Sequence, residues 1–371
     1  MELQKIWLML PVLIMALAPA GCAGSKSNDA IDAVVVNVIE KYGFVLLDKS
    51  GSDMLAAGFE HGDILSLKAG GSTFELPFVT NISDVDIYKD LLMDMGVQLL
   101  GTNMGDFAGR HGITEGMEIS IRLAEKGGYL DKYKLRQVSR SHDRDDYASD
   151  EVFANFRELT QGSITPGMLY RSSSPVDNMF NRAAYASALA EQANIATVIN
   201  MTDSREDLVA YFNAEDFSSY FYEGLFDDGR VIYLDLGCDL KSDDFRYGLR
   251  DAFMLMAEND GPYLIHCTEG KDRAGFMSAL TLALMGADMD EIVADYMLSF
   301  VNYYHVVPGS AQYTAIAQGN IYQTLRIIAG LDAQAELEGV DMQAAAEDYI
   351  KALGLGPEYI AAVYERLAGG I

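Results

Sequence analysis

Tryptophan is all but missing from this chain of 371 residues, and the only one is Trp7. Cysteine is nearly as scarce: Cys22, Cys238 and Cys267 are the three. So few thiols exclude a fold stapled by a disulfide framework. The five histidines show no metal-ligand spacing, so no metal and no cofactor is called for. Positive charge is short too, with 27 Lys and Arg against 55 Asp and Glu and a net charge of -28 at pH 7. That balance excludes nucleic acid as a partner and leaves no broad basic face for an anionic membrane. Any phosphate site must therefore be local, made from backbone amides and a few cations. The acidic surface itself serves solubility.

What is present is a chain that folds. Half the residues are hydrophobic, and 40.6 kDa is ample for two domains. At the start, Lys5 precedes an apolar run from Ile6 to Ala18, too short to span a bilayer and suited to a signal peptide. The Pro19-Ala20-Gly21-Cys22 end resembles a bacterial lipoprotein cleavage box, which implies export and lipidation at Cys22. Pro19 stands where such boxes usually carry Leu, so plain secretion after Ala20 is the alternative. The expected layout begins with a signal peptide over 1–22 and a polar tether over 23–32. Membrane contact is expected only through a lipid at Cys22. Once Cys22 is assigned to the lipid, Cys238 and Cys267 remain, and a free thiol in an exported protein needs a chemical explanation.

Residues 33–126 read as a small β-rich, barrel-like domain. Two phrases echo each other, Phe59–Leu67 and Ile113–Ile121, each a polar turn with Gly feeding an alternating strand. The stretch Asn103–Ala108, running into the second phrase, resembles the C-terminal barrel of SAM hydroxide adenosyltransferases and implies a fold only. Residues 127–150 are rich in charge and read as a solvated linker. The alternative is an ordered arm that brings Arg140 or Arg144 to a phosphate pocket. From 151 to 371 strands alternate with helices. Ala196–Met201, Val231–Leu236 and Tyr263–His266 read as strands, and Arg182–Asn194 and Ala274–Met285 as helices. The latter places Phe276, Ala279, Leu280 and Ala283 on one face. This alternation predicts an α/β domain: a mainly parallel sheet flanked by helices.

Between the last of these strands and the helix after it stands His266-Cys267-Thr268-Glu269-Gly270-Lys271-Asp272-Arg273-Ala274-Gly275. Five residues separate the cysteine from the arginine. A loop of that length can curl until its N–H groups converge on one anion at a helix N-terminus. The same field favours a thiolate at Cys267. Gly270 supplies a left-handed backbone position, and Arg273 offers a planar fork to two phosphate oxygens. Residues Thr268 to Arg273 are thus the expected phosphate cradle, with Lys271 as an added cation or a solvated neighbour. Any one of these residues alone would suit a structural role; the whole order points to chemistry. Rhodanese-type sulfurtransferases also hold a Cys in such a loop, typically one residue shorter.

His266 through Gly275 resembles the signature of cysteine-based protein tyrosine phosphatases, and Gly-Lys-Asp-Arg is similar to their atypical bacterial branch. Asn155–Leu159, Gly167–Ser172, Glu291–Tyr296 and Glu347–Gly354 are similar to further phrases of that branch. The resemblance implies a two-step phosphatase: Cys267 attacks phosphorus, an acid protonates the leaving oxygen, and water hydrolyses the phosphocysteine. It implies that His266 orients the thiolate through the loop backbone. Asp272 is the first choice for the acid, with Asp239 and Asp243 after the second strand as alternatives. Substrates implied are phosphorylated proteins, at tyrosine or serine, or inositol phosphates and phosphoinositides.

The sequence departs from the family in three places. Asn200, Thr202 and Asp203 stand where that branch tends to carry Asp and Arg, so this corner has either found a substitute or lost its role. No Trp-Pro-Asp acid loop exists. Ala274 replaces a hydroxyl that helps the thiolate leave in the second step, so Ala274→Ser is expected to raise steady-state turnover, and an unchanged or lower rate would refute that. The competing function is a phosphate-binding surface protein that turns over poorly. Cys238 is expected to pack in the core. A reversible Cys238–Cys267 bridge is the chemical alternative, which mass spectrometry after peroxide treatment would reveal.

Overall fold

The computed structural model describes residues 30–369. The apolar run Ile6–Ala18 and Cys22 lie outside them. The first seven strands are β1 (Ile31–Ile39), β2 (Phe44–Ser50), β3 (Ile64–Ala69), β4 (Ser72–Val79), β5 (Asp90–Asp94), β6 (Val97–Thr102) and β7 (Glu118–Glu125). They close into a barrel in the order β1-β2-β6-β5-β4-β3-β7, with only β4 and β5 parallel. Alternation fills the inside: Val35, Val45, Leu47, Leu65, Leu67, Ile119 and Ile121 are buried, while Val34 and Val36 face out. The two echoing phrases lie side by side, β3 against β7, with Leu67 opposite Ile121.

The second domain adds β8 (Arg157–Glu158), β9 (Leu169–Ser172), β10 (Thr197–Asn200), β11 (Val231–Tyr233) and β12 (Tyr263–His266). Their order is β11-β10-β12-β9-β8; all pairs are parallel except the short β8 edge. The central strand β12 is apolar throughout because both its faces are covered. Leu264 packs toward Ala186, Leu189 and Tyr222, while Ile265 joins Phe245, Leu249 and Phe276 on the other side.

Three expectations need correction. The strand expected over Val231–Leu236 ends at Tyr233, because Asp235 takes a left-handed φ of 50° and turns the chain. The helix Arg273–Leu284 is buried on every face and not on one. It lies between the sheet and the helices Met289–Tyr304 and Met342–Ala352.

The stretch 127–150 is no solvated linker. It contains the helix Leu130–Arg136, and Arg136 is buried with its whole guanidinium satisfied. It donates to the Ser83, Val85 and Ala315 carbonyls at 3.0–3.1 Å and to Asp86 and Asn320 at 2.7 Å. Those partners belong to both domains, so one side chain bolts the barrel to the helices Ala311–Gly319 and Ile321–Ile328. Arg140 reaches the cysteine loop and Arg144 does not, pairing instead with Asp150.

Candidate active site

Cys267 follows β12 directly and is 3% exposed. The loop after it is shaped by what grips its carbonyls. The Thr268 carbonyl accepts from the Ser174 amide, and that of Glu269 from Tyr303 Oη at 2.7 Å and Asn155 Nδ2 at 3.1 Å. Arg171 Nη2 takes the Gly270 carbonyl at 2.6 Å and the Lys271 carbonyl at 3.1 Å. In a planar trans peptide the next N–H points opposite to the carbonyl. Four outward carbonyls therefore turn the amides of Glu269, Gly270, Lys271 and Asp272 inward, at the N-terminus of the helix Arg273–Leu284. Among the described residues none of those amides has another partner. This is an anion nest.

Gly270 has φ +65°, and a Cβ there would overlap the Ser172 carbonyl. Gly270→Ala is therefore expected to cost about 2 kcal/mol or more and to abolish phosphate binding. A thermal melt and a phosphate titration check it; a variant with native melting and binding would contradict the loop geometry.

Behind the nest lies a buried ion cluster. Asp295 accepts from Arg157 Nε at 2.7 Å and Arg171 Nη1 at 2.6 Å. Burial alone would raise the Asp295 carboxyl, but the two guanidinium groups outweigh it and hold it below its ordinary value. Arg157 and Arg171 were visible in the sequence only as parts of family-like phrases. The structure gives them a task, which is to hold the loop's outer edge.

Arg273 is buried, with Nη1 on the Leu236 carbonyl at 2.7 Å and Nη2 on Thr268 Oγ1 at 3.2 Å. Its remaining N–H groups are available to a phosphate. Thr268 contributes less than expected to the cradle, since its amide donates to Thr202 Oγ1 at 3.1 Å. Lys271 is neither a solvated neighbour nor a free phosphate cation. It is buried, 3.2 Å from Glu269 and 3.6 Å from Asp272, and its ammonium also meets Ser83 of the barrel. Glu269 pairs with Lys271 and with Arg140, whose guanidinium stacks 4.1 Å from the Phe180 ring. Burial would raise Glu269, yet the two cations hold it well below the carboxylate range. Both side chains thus serve the loop's frame, and their backbone amides serve the nest.

His266 is fully buried, and burial pushes its pKa down to about 3 against a weaker opposing pull from the Cys267 backbone. The neutral ring meets Tyr222 Oη at 3.3 Å. Asn200 donates to the same phenol at 2.9 Å and to Asp203 at 3.0 Å. The corner that departs from the family has kept a role: Thr202 fixes the loop amide, and Asn200 links Tyr222 to Asp203.

Comparison with known proteins fits this geometry. Residues 151–369 match the sequence profile described as the tyrosine phosphatase family. The chain belongs to that family. As a tyrosine phosphatase family member it is 44% identical over 59 residues to a candidate tyrosine-protein phosphatase of Cupriavidus necator, spanning 15% of this chain and 22% of that one. It is 58% identical over 38 residues to the triple specificity protein phosphatase PtpB of Mycobacterium tuberculosis, or 10% and 14% of the two chains. These matches span less than a quarter of either relative.

The carboxylates expected near this phosphatase-family loop separate clearly. Asp272 caps the helix beside Arg273 and accepts from Tyr296 Oη at 3.1 Å. Asp239 accepts from Tyr88 Oη of the barrel at 3.1 Å and from the Lys241 amide. Asp243 is exposed in the first turn of the helix Asp243–Glu258, outside the cleft that the others line. Asp203 is buried in the cleft wall, and burial, with the Asp177 charge second, pushes its pKa up to about 6. Cys238 and Cys267 are both free thiols. Cys238 packs between the two domains, against the cluster of Ile39, Tyr42 and Phe44 and against the main core.

Proposed function

We propose that this protein hydrolyses phosphate monoesters through a phosphocysteine on Cys267. The observation that carries the reading is the set of four inward amides beside a buried Arg273, directly after the cysteine and at a helix N-terminus. The nest and the helix dipole stabilise both a thiolate and the equatorial charge of a transferring phosphoryl group. Arg273 follows two of its oxygens into the transition state. Asp272, the neighbour of Arg273 in the loop, is the proposed acid. Asp203 is a second reading, favoured by its raised pKa and its place in the cleft wall.

Hydrolysis of an aryl phosphate without added metal tests the activity, and absence of turnover would overturn it. A pH–rate profile then assigns the acid. Asp272→Asn is expected to lose the alkaline limb while Asp203→Asn and Asp239→Asn keep it; loss in Asp203→Asn alone would move the role there. Ala274 sits fully buried in the first turn of the helix, without the hydroxyl that speeds the second step, and so favours a slow enzyme. Substrates in this reading are phosphorylated proteins or inositol phosphates. We also propose export with a lipid at Cys22, supported by the run Ile6–Ala18; Cys22→Ala is expected to move the protein from the membrane to the soluble fraction.

A further inference from the structure

The barrel and the phosphatase domain enclose a cleft of about 870 Å³ that reaches the cysteine loop at Thr268. A single phosphoryl group fills only a corner of such a space, which falls in the size range of sites for larger ligands. Its walls carry eight carboxylates, two from the barrel, Glu40 and Asp106, and six from the phosphatase domain, among them Asp207, Asp235 and Asp244. One ammonium lines it, that of Lys41. Burial and mutual repulsion push Asp203 and Asp177 up, as expected for carboxylates crowded by their own kind.

This charge is opposite to what a phosphate needs, so the nest works against its own approach path. The cleft also shows what it does attract. Lys41, at the tip of the β1–β2 turn, reaches across from the barrel to the Thr202 carbonyl at 2.9 Å and pairs with Asp235. Its backbone carbonyl lies over Gly237, where a Cβ would overlap it. A cation held beside the loop is thus already built into the molecule. It sits one residue from Asp203 and on the wall that any chain leaving the nest must pass.

Building on the phosphatase reading, we propose that the cleft recognises a phosphopeptide in which Lys or Arg flanks the phosphorylated residue. The nest takes the phosphoryl group, and the carboxylate walls take the cation next to it. A polyanionic inositol phosphate places its further phosphates against those same walls and is repelled. The barrel then has a defined task, as half of the specificity surface.

The test compares kcat/KM for matched phosphotyrosine peptides with Lys/Arg or Asp/Glu flanks and for a soluble inositol polyphosphate, with an aryl phosphate as the reference rate. Basic flanks are expected to win by about ten-fold at low salt, and the gap should shrink as screening shortens the reach of the walls. Glu40→Gln with Asp244→Asn, exposed positions on opposite walls, is expected to cut the ratio by about three-fold. Equal rates, preference for acidic flanks, or best use of the inositol polyphosphate would overturn the proposal. Failure of the aryl phosphate to react would refute the phosphatase reading instead. In that case anisotropy of the same labelled peptides on Cys267→Ser protein decides the cleft: tighter basic peptides support it, and equal affinities refute it.

Discussion

Cys267→Ser is expected to lower aryl phosphate hydrolysis by about 10⁴-fold or more. The nest and the helix dipole act on a group that already ionises near neutrality. A thiol meets that condition, and an alcohol, whose proton is far more tightly held, does not. The loop should survive the change. The two side chains are close in size, Cys267 is almost wholly enclosed, and the loop's shape is set from outside by Arg171, Asn155 and Tyr303. Phosphate or vanadate should therefore still bind the variant with little loss. A variant that keeps a tenth of the wild-type rate would rule out Cys267 as nucleophile. One that loses both binding and its melting transition would show that the thiol is structural.

The second large effect concerns stability. Asp295→Ala is expected to cost about 3–5 kcal/mol, because it leaves Arg157 and Arg171 buried without a counter-charge. The pH dependence has a defined sign. The Asp295 carboxyl is held below its ordinary value in the folded protein, so its contribution is present above the unfolded value of about 3.9 and is lost as pH falls through the folded one. Denaturant melts of wild type and Asp295→Ala should thus differ widely at pH 7 and converge below about pH 4. A gap under about 1 kcal/mol at pH 7 would show that the cluster does not hold the loop. Turnover should fall with stability in this variant, since Arg171 grips the Gly270 and Lys271 carbonyls with the same guanidinium.

The parts of this molecule that could be read from the chain are those written locally. The Cys-to-Arg spacing, the strand before it and the helix after it lie within one short segment. The left-handed residue had to be Gly270, and the structure places it against a carbonyl with no room for more. The unbroken apolar runs gave away a sheet covered on both faces. What stayed hidden depends on distant partners. Lys271 looks in the sequence like a cation beside a phosphate, but Glu269, Asp272 and the barrel's Ser83 absorb it. Arg136 and Arg140 sit in a run of charges that resembles any solvated surface; only folding brings Asn320 to the first and Glu269 to the second. Asp203 was noted as a departure from the family, while the burial that raises its pKa comes from the surrounding fold. The acidic composition was legible from the start, but its concentration at the mouth of the site required the barrel to dock.

The central claim is that Cys267 carries the phosphoryl group during turnover. The direct measurement is acid quench of the wild-type protein during aryl phosphate hydrolysis, followed by peptide mass spectrometry. A phosphoryl adduct on the peptide holding Cys267, absent from Cys267→Ser, is the result expected. Turnover with no adduct there, or with the adduct on a different residue, would contradict it.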